Sequence, residues 1–248
     1  MGARMSRREF AGRSAAGLLG ATGWRWATDD GRLRARPRRP TATVVPGEHA
    51  LELAGGRDGL LYVPASYRPD RAAPLVLALH GATGNGLRQL GGWRAAAEAH
   101  GFIVVAPDSR GGTWDAVRGG FGPDVTFIDS ALASVFRRCH VDATRMIIAG
   151  FSDGASYALT LGLINGDLFQ KVVAYSPGFI VPGEWTGQPK LFLSHGRADP
   201  ILPIDQASRR LVVLLRRGGY SVTYREFDGG HEVPEAIRSE AVEWMLTS

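Results

Sequence analysis

Residues 146–155 read Met-Ile-Ile-Ala-Gly-Phe-Ser-Asp-Gly-Ala, and this stretch decides the fold. Its first half is a short apolar run typical of a buried strand, and a segment of helical character follows it. A chain that turns sharply from strand to helix brings the positions two before and two after Ser152 close together. Gly150 and Gly154 stand at those positions, where any side chain would clash. The pattern therefore predicts a serine exposed on a tight turn, at a helix N-terminus whose dipole favours negative charge.

Apolar runs on either side of this stretch alternate with longer segments of helical period. Strands are predicted at residues 51–53, 60–63, 75–79, 102–106, 145–149, 172–175, 191–194 and 222–227. Helices are predicted at residues 87–100, 124–138, 153–164, 205–217 and 232–246. Continuous apolar strands joined by amphipathic helices indicate an α/β fold with a mostly parallel sheet covered on both faces. In such sheets ligands bind at the carboxyl ends of the strands, so functional residues are expected just after each strand.

A serine hydroxyl is a weak nucleophile, so it needs a base that is itself oriented by a carboxylate. Two histidines follow Ser152 in the sequence, His195 and His231. His231 follows two glycines after the last predicted strand, in a loop that can bring an imidazole over the serine. His195 ends a strand just ahead of Asp199 and is expected to pack that loop instead. The predicted base is therefore His231.

The predicted orienting acid is Asp199, because it lies just past a strand end in a turn made rigid by neighbouring prolines. Asp205 is the rival acid, and its position favours capping the following helix. Asp228 lies three residues before the predicted base and is expected to be a turn residue.

The Gly-rich segment after the strand at 75–79 predicts a site for a developing negative charge. It reads His-Gly-Ala-Thr-Gly-Asn-Gly over residues 80–86. The amide of Ala82 can point at an oxyanion, and the amide of Asp153, just after the serine, can supply a second donor. His80 is expected to anchor this loop by hydrogen bonds.

Together these motifs resemble the α/β-hydrolase fold. The nearest groups are the phospholipase/carboxylesterase family and the polyhydroxybutyrate-depolymerase/feruloyl-esterase-like family. The resemblance covers residues 58–248 and implies a carboxylesterase-type activity that needs no cofactor. The six histidines are scattered singly along the chain, so no metal site is expected. The resemblance assigns the catalytic roles to Ser152, Asp199 and His231. Asp153 departs from the Gln, Asn or Ala often found there, and its carboxylate is expected to disfavour anionic substrates.

The segment between Ser176 and Leu191 has only about a dozen residues, which leaves no room for a large lid. An open site accepts small or polymeric esters. Trp114 follows a predicted strand end and is expected either to line the substrate pocket or to pack at its rim. Phe179 is a second candidate for a substrate contact. Cleavage of a peptide, thioester or lactone by the same three residues is the alternative, since a fold does not decide which bond is cut. A non-catalytic binding protein is the alternative from another class.

The basic character of the chain is confined to its N-terminus. Residues 1–40 hold ten arginines and three acidic residues, whereas the remainder holds 19 basic and 21 acidic residues. A nucleic-acid-binding protein would carry a basic surface on the folded domain itself, so no nucleic-acid partner is expected.

Residues 1–28 are predicted to be a twin-arginine signal peptide. Arg7 and Arg8 precede a weakly apolar run that is too short to span a membrane, so export without a stable membrane anchor is expected, with a cytoplasmic location as the alternative. Residues 29–43 are rich in Arg and Pro and are predicted to be a linker, followed by a catalytic domain over residues 44–248.

Overall fold

The computed structural model describes residues 30–247. A single eight-stranded sheet runs through it. Its strands are β1 (Gly47–Ala50), β2 (Gly59–Val63), β3 (Ala73–Leu79), β4 (Ile103–Pro107), β5 (Val141–Phe151), β6 (Lys171–Tyr175), β7 (Lys190–Gly196) and β8 (Val222–Phe227). Its helices are α1 (Gly86–Gly91), α2 (Arg94–His100), α3 (Pro123–Arg138), α4 (Asp153–Ile164), α5 (Ser208–Arg217) and α6 (Glu235–Leu246), with one 3-10 turn at Asp115–Arg118.

The strand order is β1-β2-β4-β3-β5-β6-β7-β8, and the sheet is mostly parallel. β1 and β2 form an antiparallel hairpin, and β2 lies antiparallel to β4. All remaining pairs are parallel. Because β3 to β8 all run in the same direction, the carboxyl ends of β3, β5, β7 and β8 open onto one edge. The strand order reverses around β3, and ligands bind outside the carboxyl ends at such a point. The predicted fold class is confirmed.

The core forms two apolar layers, one on each face of the sheet. One layer joins the sheet to α3, α4 and α5 through side chains such as Ile128, Leu159 and Leu215. The other joins it to α1, α2 and α6 through side chains such as Leu90 and Ala241. The strands between these layers are buried on both faces, which explains their continuous apolar sequence.

The helix predicted at residues 87–100 is two helices. α1 ends at Gly91 and α2 begins at Arg94. The amide of Gly92 closes α1 by hydrogen bonding to the carbonyl groups of Gln89 and Leu90. The paired glycines cost helix stability, which accounts for the break.

The helix predicted from residue 205 begins at Ser208, with Ala207 at its N-cap and no side-chain capping bond. The expectation that Asp205 caps this helix is wrong. Its carboxylate instead lies 2.9 Å from the guanidinium of Arg209, an exposed ion pair that fixes no backbone amide.

Residues 30–36 lie extended against the domain, and we call this segment the strap. Leu33 in the strap is 1% exposed and belongs to the apolar layer over α3 and α4. The side-chain amide of Asn165, at the end of α4, accepts a hydrogen bond from the Leu33 amide (2.8 Å) and donates one to the Gly31 carbonyl (2.9 Å). Asp129 on α3 accepts hydrogen bonds from the amides of Arg34 and Ala35 (2.6 and 2.8 Å).

The packing of the strap differs from the linker expected at residues 29–43. A single buried leucine among arginines shows no hydrophobic period, so its role is invisible in the sequence. Residues 1–28, predicted to be a signal peptide, lie outside the described residues. Between residues 30 and 247, no helix is both long and apolar enough to cross a membrane.

Candidate active site

Ser152 sits in the turn between β5 and α4, as its sequence predicts. Its backbone has φ 57° and ψ −123°, a strained conformation for a residue with a side chain. A Cβ on Gly150 would overlap the Gly154 carbonyl, and one on Gly154 would overlap the Leu79 carbonyl. Both glycines are therefore required by the close approach of the backbone, and the serine hydroxyl is held at the carboxyl edge of the sheet.

The structure brings Ser152, His231 and Asp199 into one line of hydrogen bonds. The Ser152 Oγ lies 2.8 Å from His231 Nε2, and His231 Nδ1 lies 2.6 Å from Asp199 Oδ2. The serine is 8% exposed and the aspartate 5% exposed, whereas the histidine side chain is 15% exposed. The imidazole thus connects a buried carboxylate to a hydroxyl near the surface, the arrangement that activates a serine.

Asp199 is held as a carboxylate. Burial acts to raise its pKa, but hydrogen bonds from the Leu202 amide, from His231 and from the Ile201 amide outweigh burial and bring the pKa below its ordinary value. Both amides bond to Oδ1 at 2.9 Å, which leaves Oδ2 for the imidazole. A fixed negative charge at this position stabilises the imidazolium form of His231.

His195 lies directly behind Asp199 and is fully buried. Its Nε2 is 2.8 Å from the Leu202 carbonyl and 3.2 Å from Asp199 Oδ2, and its Nδ1 is 2.6 Å from Ser208 Oγ. The expectation that it packs this loop is confirmed. Burial lowers its pKa, so it is held neutral and donates from Nε2 while accepting from Ser208.

The sequence did not predict the contact between His195 and the Asp199 carboxylate, or the hydrogen bond between His195 and Ser208. No signal in the sequence links a helix-start serine to a histidine thirteen positions earlier, because the two meet only through the turn at the end of β7.

The loops that carry the acid and the base are bonded to each other. The Ala198 amide donates to the Gly229 carbonyl (3.0 Å), and the Arg197 amide donates to the Phe227 carbonyl (2.9 Å). A Cβ on Gly196 would overlap the Gly230 carbonyl, so the two backbones touch at that point. These contacts fix the separation of Asp199 and His231 without help from a ligand.

The loop after β3 lies against the serine, since a Cβ on Gly81 would be 3.4 Å from the Cβ of Ser152. His80 anchors it as predicted: Nδ1 donates to the Gly81 carbonyl (2.7 Å) and Nε2 accepts from the Ser109 amide (2.9 Å). Burial lowers the pKa of His80, which keeps the ring neutral for these two bonds.

The two amides expected to hold an oxyanion are free to do so. Within residues 30–247, neither the amide of Ala82 nor that of Asp153 donates a hydrogen bond. The carboxylate of Asp153 is engaged elsewhere, because its Oδ2 accepts the Thr113 hydroxyl at 2.6 Å.

Trp114 does not line a substrate pocket. It is fully buried, stacks on Tyr157 with ring centroids 5.2 Å apart, and donates from Nε1 to the His80 carbonyl (2.8 Å). The expected substrate contact is therefore wrong, and packing beneath the loop after β3 is its role. An indole that is fully buried, with its only donor satisfied, exposes neither a ring face nor a polar group to a ligand. Phe179 is half-buried in the segment after β6 and stays a candidate.

A cleft of about 360 Å³ opens beside His231, between α1 and α6. Its walls include Ala82 and His231 of the predicted site, together with Phe151, Arg88 and Arg238. The arginines were not foreseen, since they are single charges on two helices far apart in the chain.

Comparison with known proteins agrees with this geometry. Residues 125–243 match the family model described as phospholipase/carboxylesterase. Feruloyl esterase C of Emericella nidulans is 29% identical over 176 residues, covering 68% of this chain and 62% of that protein. The bifunctional acetylxylan esterase/xylanase XynS20E of Neocallimastix patriciarum is 28% identical over 193 residues, covering 74% of this chain and 27% of that protein. The chain thus spans less than two thirds of the length of these curated relatives.

Solved structures share the fold. Esterase PE8 superposes with a TM-score of 0.63 at 21% identity, covering 75% of this chain and 96% of that one. The fluorophosphonate-binding serine hydrolase FphF of Staphylococcus aureus superposes with a TM-score of 0.66 at 16% identity, covering 82% of this chain and 100% of that one. The resemblance expected from the motifs is confirmed: the chain has the α/β-hydrolase fold, and its residues 125–243 are similar to the phospholipase/carboxylesterase family.

Proposed function

We propose that this protein is a serine hydrolase that cleaves carboxylic esters through an acyl-enzyme intermediate. The observation that carries the proposal is the unbroken line of hydrogen bonds from Ser152 through His231 to an ionised Asp199. The names of the relatives, feruloyl esterase and acetylxylan esterase, support ester cleavage over cleavage of a peptide.

In the first half of the reaction His231 Nε2 takes the proton of the Ser152 hydroxyl while Oγ attacks the ester carbonyl carbon. The carbonyl electron pair moves to oxygen, which becomes an oxyanion. As the tetrahedral intermediate collapses, the C–O bond to the alcohol breaks and His231 donates its proton to the leaving oxygen. In the second half His231 deprotonates a water molecule, which attacks the acyl-enzyme and releases the acid.

The oxyanion is stabilised by the amides of Ala82 and Asp153, which have no other acceptor in the described part of the chain. A single donor of this kind typically contributes about 3–4 kcal/mol to transition-state stabilisation. Asp199 holds the imidazole in orientation and balances its charge after proton transfer. The mechanism uses these side chains and amides together with water.

The substrates are small or polymeric esters. The segment between β6 and β7 contains no helix, so it builds no helical lid over the serine. Phe179 in that segment is proposed to contact the substrate. The relatives named above are a feruloyl esterase and an acetylxylan esterase, which supports this class of substrate.

The protein is proposed to be exported through the twin-arginine signal of residues 1–28. The support is the arginine pair ahead of a short, weakly apolar run. Replacing Arg7 and Arg8 by Lys should retain the protein in the cytoplasm of the producing cell, as judged by fractionation. Unchanged export of that variant would contradict the signal.

The decisive experiment measures hydrolysis of 4-nitrophenyl esters of increasing acyl length by the full chain and by Ser152→Ala. We expect turnover of short esters in the wild type and a loss of about 10⁶-fold in kcat in the variant. A fluorophosphonate probe should label the wild type alone. Labelling that persists in a folded Ser152→Ala protein would refute the assignment, and turnover of amides or thioesters without esters would replace the proposed substrate class.

A further inference from the structure

The cleft beside His231 continues the proposed site onto the α1/α6 face of the sheet. The rings of Phe151 and His231 meet at one end of it, with centroids 4.8 Å apart. Ala82, whose amide is proposed to hold the oxyanion, lines the same end. A group bound in the cleft is therefore close enough to the ester bond for both to belong to one small substrate molecule.

The charged groups lining the cleft are two arginines and one glutamate. Arg88 is exposed, and its guanidinium has no acceptor within the described part of the chain. Arg238 is 24% exposed, and its nearest carboxylate, at 3.7 Å, is that of Glu235, whose side chain is 84% exposed. Glu232 is turned back to its own loop, where Oε1 accepts the Gly230 amide at 3.3 Å. With the ring of His80 neutral, the cleft carries a net positive charge.

Tyr175 adds a donor with no partner. The residue is 1% exposed and lines the cleft, and its hydroxyl has no hydrogen-bond partner in the structure. Burial raises the pKa of this phenol, so the group is protonated at neutral pH. Arg238 lines the same cleft. A buried hydroxyl without a partner costs free energy, which a bound acceptor would recover.

The absence of a side chain at Gly92 leaves room for the guanidinium of Arg238. A Cβ on Gly92 would lie 2.9 Å from Arg238 Nη1, so the guanidinium passes over the end of α1 where a side chain is missing. The backbone of Gly92, with φ −75°, would accept alanine without strain. This position therefore offers a way to move the guanidinium without removing it.

We propose that this cleft binds a carboxylate carried by the ester substrate, held by Arg88, Arg238 and the Tyr175 hydroxyl. The inference rests on the proposed esterase activity and names the class of ester. The expectation that Asp153 disfavours anionic substrates does not hold against it, because that carboxylate is bonded to Thr113 and does not line the cleft. Guanidinium–carboxylate pairs are short and directional, which fixes the ester relative to Ser152.

The carboxylate can belong to the acid or to the alcohol of the ester, and two pairs of substrates distinguish these. The acid arm compares the 4-nitrophenyl monoester of adipic acid with its terminal amide. The alcohol arm compares 4-acetoxybenzoate with 4-acetoxybenzamide. We expect wild-type kcat/KM to favour the carboxylate member of one pair by about tenfold, mainly through KM. Because each amide is neutral and of similar size, its hydrolysis reports the esterase activity separately.

Four variants test which groups are responsible. Arg88→Gln, Arg238→Gln and Gly92→Ala should each reduce the preference for the carboxylate member, and Tyr175→Phe should reduce it less. Arg210→Gln on α5, an exposed arginine outside the cleft, is the matched control and should keep the wild-type preference. Circular dichroism and thermal melts establish that each variant is folded.

A preference that is absent from both pairs while the neutral members are hydrolysed would overturn this inference and leave the esterase proposal standing. A preference that survives both arginine variants would also overturn it. Failure to hydrolyse any ester would refute the esterase proposal, and the substrate class with it.

Discussion

Replacing Leu33 by Ala should destabilise the whole domain, although the residue lies in a segment whose sequence resembles a linker. Leu33 is 1% exposed and packs with the apolar layer over α3 and α4. Its amide is bonded to Asn165 at the end of α4. The substitution keeps this backbone bond and removes only the buried side chain, so it isolates the packing of the strap.

The expected loss in the free energy of unfolding follows from the burial of the Leu33 side chain. Removing a fully buried leucine side chain from a well-packed core costs about 2–5 kcal/mol, because transfer free energy is lost and a cavity remains. The strap lies at the edge of the domain, where neighbours can relax, which favours the lower half of that range. For a domain of this size, a loss of about 3 kcal/mol lowers Tm by roughly 6–12 °C.

Thermal and urea denaturation of the full chain would measure the effect, with circular dichroism as the probe. Leu87→Ala is the matched control, because that leucine is 59% exposed and its loss should change the free energy of unfolding by less than about 0.5 kcal/mol. If Leu33→Ala and Leu87→Ala melt together with the wild type, the strap is not packed in solution and the reasoning is refuted.

Three further predictions concern the site. Because the native pKa of Asp199 lies below its ordinary value, its ionised form stabilises the fold above about pH 4, and this contribution is lost as pH falls through the native pKa. Asp199→Asn should therefore have a lower free energy of unfolding than the wild type at pH 7. In urea titrations at acid pH the difference between the two proteins should become smaller, and a difference that does not change with pH would contradict this. His195→Ala leaves buried polar partners unpaired and should cost about 1–3 kcal/mol while lowering kcat, whereas wild-type kcat in a folded variant would remove His195 from any positioning role. Gly154→Ala should prevent formation of the serine turn and cost at least about 3 kcal/mol, whereas Gly91→Ala, whose Cβ would meet no atom within 4 Å, should be neutral or stabilising; equal melting of the two glycine variants would count against the turn geometry.

The fold and the grouping of Ser152, Asp199 and His231 could be anticipated because their requirements are local. A side chain at Gly150 would clash with the Gly154 carbonyl, only four residues later, and the acid and base each follow a strand end. The close approach of Gly154 to the Leu79 carbonyl, by contrast, comes from the neighbouring strand and is not local. Parallel strands bring such ends to one edge, so a pattern read along the chain becomes a position in space.

Trp114 and Leu33 could not be placed from the sequence because their environments are assembled from distant segments. Trp114 is buried by Tyr157 and by the loop after β3, neither of which is its neighbour in the chain. Leu33 is covered by α3 and α4, which begin 90 and 120 residues later in the chain. The same reason hides Arg88 and Arg238, whose separation in the chain says nothing about the cleft they share.

The bonds between the loop after β7 and the loop after β8 have a practical consequence. Since the acid loop and the base loop hold one another through their backbones, neither can fray while the other stays in place. The serine, for its part, is fixed by the strand–helix junction at the centre of the sheet. Loss of the proposed esterase activity on heating should therefore report the collapse of the entire domain, and the activity that remains would measure the fraction of molecules still folded.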